Sequence, residues 1–258
     1  MPFSSYQIRK IQKKQQKKRL FLFVLLILIT GIGIISTVAF SPLFRIQQVI
    51  IPEAHFVKIS DIYQKINQFL NNQKIFHLIS VPPNLLFFSS SDCQLIKQSF
   101  AALESVNCQK NFLNRFLKFD LKEREVVGIF CPISTNERCF YFDKEGVIFA
   151  PAENKENQKF LIKETGGRIY VLGNKILNEN FSSILQIRDF FIDKIFLNSI
   201  EINNYDVIYL FDNGFKLLIS IQKLKESANL FPKLLENDFT LKNLQYLDMR
   251  FLPKLYYK

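Results

Sequence analysis

The chain is poor in the residues on which most chemistry depends. It has two histidines, His55 and His77, both distant in sequence from the four cysteines, and no G-x-G-x-x-G, Walker or H-E-x-x-H pattern. Without a glycine-rich phosphate loop there is no nucleotide-binding signature, and without C-x-x-C or paired histidines there is no short zinc signature. Hydrolysis or group transfer calls for a His, Cys or Ser nucleophile system, or for two carboxylates sharing a pocket. His55, close behind the first predicted strand, and His77, in an apolar connection, read as surface or packed residues. Asp143 and Glu145 fall in a predicted turn and read as solvated loop carboxylates. The expectation is a chain without catalytic residues, cofactor, metal or small-molecule substrate.

Glycine is scarce as well, at eight, no period of 20–50 residues recurs, and no Ser/Gly-rich or Pro-rich linker is visible. These absences argue against a solenoid and against domains strung on flexible tethers. What is plentiful is apolar: 48% of residues are hydrophobic and 28 are Phe, enough to fill real cores.

Acidic residues are absent from positions 1–19, and charge of either sign is absent from Leu20 to Phe40, a run of 21 residues. At about 1.5 Å per residue this helix covers roughly the 30 Å hydrocarbon core of a bilayer. Before it stand Arg9, Lys10, Lys13, Lys14, Lys17, Lys18 and Arg19. A basic flank stays cytoplasmic, so residues from about 41 onward are expected outside the membrane. A cleaved signal peptide shares the basic start but has an apolar core of about 7–15 residues and a small-x-small site. Here the core is longer and Thr37-Val38-Ala39 is a poor site, so an uncleaved anchor is expected. Without the seven tail cations the chain has 27 Lys and Arg against 23 Asp and Glu, so the net charge of +11 is mostly a tail property. Beside a span, such a tail reads as a lipid-headgroup contact rather than a nucleic-acid site. Gly31 and Gly33 are not at the G-x-x-x-G spacing of helix dimers.

Cys93, Cys108, Cys131 and Cys139 all follow the span. In an oxidising compartment they permit two disulfides, with three connectivities, of which Cys93–Cys108 with Cys131–Cys139 closes the shortest loops; four buried thiols are the alternative.

Beyond the span about 218 residues remain, one large or two small domains. A strand is predicted over Phe44–Ile51, a helix over Asp61–Leu70 with Ser60 as N-cap, an apolar connection over Lys74–Phe88 and a helix from Asp92 to Glu104. Leu117, Phe119 and Leu121 alternate with charged residues as a half-buried strand does, with Cys108–Phe112 as its hairpin partner. The order is β-α-α-β-β. After Val126 the predicted strands are Ile129–Ile133, Cys139–Phe142, Val147–Phe149 and Ile169–Leu172, with a solvated loop over Glu153–Gly167. A helix over Asn180–Phe196 precedes strands at Ile200–Ile202 and Val207–Phe211, and Asn213-Gly214 predicts a type I′ turn into Phe215–Ile221. A helix over Lys223–Asn237, kinked or started late at Pro232, leads to closing strands at Leu244–Met249 and Leu255–Lys258. A strand at the chain end tends to occupy a sheet edge with unpaired backbone groups. The fold class is therefore α+β: one transmembrane helix, a small β-α-α-β-β domain, and a larger strand-rich domain with flanking helices.

This order resembles the FtsQ/DivIB family of bacterial cell-division proteins over nearly the whole chain. The marks are Phe44-Arg45-Ile46-Gln47-Gln48-Val49-Ile50-Ile51 as its first strand and Leu121-Lys122-Glu123-Arg124-Glu125-Val126-Val127-Gly128, similar to its Glu-Arg-x-Pro-Val-Ala junction. Phe142-Asp143-Lys144-Glu145-Gly146-Val147-Ile148-Phe149 is similar to its hairpin, and Leu247-Asp248-Met249-Arg250-Phe251 to its closing Asp-Leu-Arg-Tyr strand. Val126 and Gly128 stand where the family has proline and alanine, Pro52 where it often has glycine, and four cysteines are untypical. The resemblance implies a cytoplasmic tail over 1–19, a span over 20–40, a POTRA domain over about 43–125 and a β domain over about 126–258. It also implies a non-enzymatic scaffold that recruits FtsB/FtsL-like partners to the septum, one of them by adding a strand to the β domain. Carried over, the partner-binding residues are Leu252, Lys254, Leu255, Tyr256 and Tyr257. The alternative class is a single-span envelope docking protein using a POTRA-like module in secretion or assembly.

Overall fold

A computed structural model describes residues 5–75, 79–133, 138–152, 160–191, 195–236 and 244–258, those at 5–16, 75 and 235–236 by their backbone alone. His77 lies outside the described residues. The chain is mixed α+β, with an N-terminal apolar helix and a large strand-rich sheet. It divides into two compact units, one made of Met1–Glu53, Ile59–Ile96 and Val106–Leu121, the other of Ala54–Lys58, Lys97–Ser105 and Lys122–Lys258.

The first unit begins with helix α1, Ser5–Phe40. Its stretch Lys17–Phe40, 24 residues, is long and apolar enough to cross a membrane, with a mean hydropathy of 2.7 over 18 residues that are not packed inside the protein, while Ala39 near its end is buried. The hydroxyls of Thr30 and Thr37 donate back to helix carbonyls, to Leu26 at 2.9 Å and to Ile34 at 2.8 Å. They therefore present no unsatisfied donor on the apolar surface.

Strand β1 (Gln48–Ile50) is shorter than predicted, because the chain before it bonds to a loop instead: Ile46 N donates to Pro83 O and Leu85 N to Phe44 O. Helix α2 (Ile59–Asn71) buries Ile62, Ile66 and Leu70, which recur every four residues on one face. Ser60 lies within this helix, not at its cap. The connection after it contains a small hairpin of β2 (Lys74–Ile75) and β3 (Ile79–Ser80) that period alone did not reveal. Helix α3 (Ser90–Ser99) is capped at its start by Asp92, whose carboxylate accepts from the Ser89 backbone N–H at 2.7 Å. It stops five residues short of the expected Glu104, since Leu103 is a buried residue of strand β4 (Leu103–Asn111). Strand β5 (Phe116–Glu123) completes a sheet of order β1-β5-β4, with β1 and β5 parallel. Phe119 meets Phe88 edge-to-face at 5.9 Å beneath it. A disulfide between Cys93 and Cys108 fastens α3 to β4.

The second unit is a nine-stranded sheet. Its strands are β6 (Gly128–Pro132), β7 (Phe140–Phe142), β8 (Ile148–Pro151), β9 (Leu161–Glu164), β10 (Leu197–Ile202), β11 (Asp206–Phe211), β12 (Lys216–Ser220), β13 (Tyr246–Asp248) and β14 (Tyr256–Tyr257). Their spatial order is β14-β13-β12-β11-β10-β9-β6-β7-β8. Helices α4 (Phe181–Phe191) and α5 (Leu224–Glu236) join its core through Phe181, Ile184, Phe191, Leu224 and Phe231, against alternate residues such as Val207, Tyr209, Leu217 and Ile219. Tyr209 is fully buried and donates its hydroxyl to Ile184 O at 3.3 Å, and burial pushes its phenol well above the ordinary range. Pro232 lies inside α5 and does not end it. Cys131 is bonded to Cys139, across the connection between β6 and β7.

Three expectations fail here for identifiable reasons. The solvated loop over Glu153–Gly167 holds β9, a central strand whose Ile162 and Glu164 are buried; residues 153–159 lie outside the description. The charged residues around Leu161-Ile162 concealed it. Ile169–Leu172 is not a strand, since Ile169 (85% exposed), Val171 and Leu172 face outward and only Tyr170 enters the core. The Asn213-Gly214 turn is not type I′, because Gly214 has a positive φ of 82° and Asn213 does not. Gly214 N donates to Phe211 O and Phe211 N to Phe215 O, the pattern of a type I turn closed by a left-handed glycine.

Gly128, where the resembled family has alanine, follows from packing. A Cβ there would lie 2.6 Å from the Phe160 carbonyl oxygen and 2.7 Å from the Phe142 ring. We expect Gly128→Ala to destabilise the second unit by about 1–3 kcal/mol, read in urea unfolding, as overpacking does. An unchanged midpoint would contradict this packing.

Candidate functional site

The two ends of the nine-stranded sheet differ. At the β8 end, residues 173–176 lie alongside: Ile148 N donates to Asn174 O at 2.9 Å, Gly173 N to Ile148 O at 2.7 Å, and Val147 bridges Lys175. At the other end β14 is the last strand, antiparallel to β13 with Leu247 opposite Tyr257 and Asp248 opposite Tyr256.

Local chemistry builds this end. The Asp248 side chain accepts from the Arg250 backbone N–H at 3.0 Å, turning the chain out of β13. The Arg250 guanidinium closes on the same carboxylate from Nη2 at 2.7 Å and Nε at 3.0 Å, and reaches Asp206 at the start of β11 at 3.3 Å. Burial works to raise the Asp248 carboxyl, but the hydrogen bonds and charge of Arg250 overcome it and hold it below the ordinary aspartate range. The hydrogen bond to Asp248 raises the Arg250 guanidinium in turn. Leu247 and Met249 enter the core on either side of this clamp.

The five residues marked by the sequence divide. Leu252 is buried in the core and Leu255 packs against it, so these two hold the segment down. Leu252 in particular does not face a partner: its apolar side chain completes the core beneath the turn. Lys254 is exposed, Tyr256 is 49% and Tyr257 62% exposed, and exposed Phe251 stands edge-on to Tyr256 at 6.0 Å. Arg250 lies over the Phe251 ring at 5.5 Å. The result is an exposed aromatic surface on a short end strand. No protein-family model and no curated protein matches the chain.

A second polar cluster sits around the β7–β8 turn. Asp143 is 3% exposed rather than solvated. Its Oδ1 accepts from Glu145 N at 3.0 Å and Val147 N at 2.8 Å, while its other oxygen is ion-paired with Arg124. Arg124 also donates to Ala101 O at 3.0 Å and lies 3.4 Å from Glu145. Burial, then the bond and charge of Asp143, raise the Glu145 carboxyl. Glu123 accepts from the backbone N–H groups of His55 and Phe56, both at 2.8 Å, which fixes Phe56 edge-on to Phe149 at 5.2 Å. Glu123 at the end of β5 and Arg124 just after it thus each close a separate bond set. Among the described residues no three His, Cys, Asp or Glu side chains converge as a metal site.

The Asp248 clamp has a pH signature. Its carboxyl is depressed in the fold, so its stabilisation is present above the ordinary aspartate range and is lost as pH falls through the lowered folded value. We expect Asp248→Asn to be destabilised at neutral pH, with the deficit shrinking in acid. A deficit independent of pH would show that the charge of Asp248 does not matter.

Proposed function

We propose that the chain is a single-span membrane scaffold of the FtsQ/DivIB type, which recruits or regulates septal peptidoglycan synthesis through FtsB/FtsL-like partners and carries out no catalysis itself. The observation that carries this reading is β14: a two-residue strand at the end of a nine-stranded sheet, with exposed aromatic side chains and an Asp-Arg clamp that holds it in place. A partner strand adds there. The apolar helix anchors the chain with its basic tail in the cytoplasm and residues 41 onward outside. The three-stranded sheet with α2 and α3 supports a POTRA-like domain over about 43–125, and the large sheet supports a β domain over about 126–258.

A fluorescent fusion expressed in the native host tests the reading. Enrichment at the division site is expected, and an even signal around the envelope through division would contradict it.

A further inference from the structure

Where the first unit joins α1 it exposes apolar side chains in a held arrangement. The chain leaves α1 at Phe40 and passes through Ser41-Pro42-Leu43, with Leu43 exposed. The β4–β5 connection folds back to this point. The Arg115 guanidinium donates to Pro42 O at 3.3 Å, Gln47 N donates to Arg115 O at 2.9 Å, and Phe112 meets Phe44 edge-to-face at 6.4 Å. A second loop clasps the last helical turn: Asn84 Nδ2 donates to Ala39 O at 3.0 Å, and Ala39 packs with Val81 out of water. The hairpin tip is thus tied to the chain two residues beyond the helix end.

The tip itself is shaped. Asn111 accepts from Asn114 N at 2.8 Å and Arg115 has a φ of 54°, the left-handed conformation that non-glycine residues seldom adopt. This presents Leu113, which is 94% exposed, beside exposed Phe112; exposed Lys110 lies two residues before Phe112 and exposed Arg45 two residues after Leu43. Exposed apolar side chains with exposed cations close by in the chain suit the headgroup–acyl boundary of an anionic bilayer. A helix that crosses a membrane brings that boundary to its own end, which is where this tip lies.

We propose that Phe112 and Leu113, with Leu43, form a membrane foot that seats in the outer interface of the bilayer crossed by α1. The inference rests on α1 spanning the membrane. Its consequence is that the first unit is held to the lipid surface at two points, the helix and the hairpin, and so at a set height.

The chain contains no tryptophan, so a single introduced one reports without background. Full-length Leu113→Trp, Leu28→Trp in the middle of the apolar run and Tyr205→Trp in the second unit are each reconstituted in vesicles of phosphatidylcholine and phosphatidylglycerol. Quenching by brominated acyl chains and by aqueous iodide is then read. For Leu113→Trp the expectation is blue-shifted emission, loss of intensity with bromine at a shallow acyl position, and protection from iodide relative to Tyr205→Trp. Iodide quenching equal to that of Tyr205→Trp, with Leu28→Trp deep in the bilayer, overturns the foot and leaves the span intact. Blue-shifted emission unaffected by brominated lipid means that a second copy covers the tip, and also overturns it. Leu28→Trp open to iodide overturns the span and the foot together.

Discussion

A chain ended after Pro253 is expected to keep its fold but to lose co-purification with an FtsB-like partner. The truncation removes β14 while leaving β13, the Asp248–Arg250 clamp and buried Leu252 in place, so the unit loses an edge and little core. Pairing with a new strand then lacks its template, and the loss is complete because main-chain hydrogen bonds supply the affinity of strand addition. Tyr256→Lys is the milder form: it keeps the backbone and removes an exposed aromatic next to Phe251. A tyrosine at the centre of an interface is worth about 2 kcal/mol or more, so binding should weaken by at least ~30-fold in a titration. Retained binding by the truncated chain, with thermal unfolding unchanged, would place the partner elsewhere.

The largest effect on stability is expected at Arg124. Removing this side chain, as Arg124→Met, leaves the Asp143 carboxylate buried without its cation and Ala101 O without its donor. Breaking a buried pair from one side costs about 3–5 kcal/mol, whereas replacing both partners by apolar residues is often close to neutral. Chemical unfolding of Arg124→Met, Asp143→Asn and the double variant tests this: the double variant should lose much less than the sum of the singles. The surface pair of Lys122 and Glu104, at 2.7 Å, is exposed and its removal should be hard to detect. Strict additivity at Arg124 and Asp143 would mean that the two do not act as a pair.

Much of this fold was legible because it is written in period. Ile62, Ile66 and Leu70 marked α2, the alternation through Leu117 and Phe119 marked β5, and the apolar run before Phe40 marked α1. What failed was set by partners distant in sequence. β9 is a strand because β6 and β10 flank it on both sides, a fact absent from the charged residues around Leu161. Ile169–Leu172 has strand composition, but among the described residues no strand pairs with it. At the candidate site the position of β14 followed from its place at the chain end, but the inward turn of Leu252 did not, since an isolated Leu near a terminus carries no facing signal. The burial of Asp143 was likewise hidden, because a turn Asp followed by Lys and Glu looks solvated until Arg124 is brought to it by the fold.

Photocrosslinking from position 256 in the native host tests the central claim most directly. With a photoreactive phenylalanine analogue at Tyr256, we expect a covalent adduct with one small single-span division protein, and none with the analogue at Lys175, which is exposed at the β8 end of the same sheet. The same adduct from both positions, or an adduct from neither in dividing cells, would contradict β14 as the docking strand.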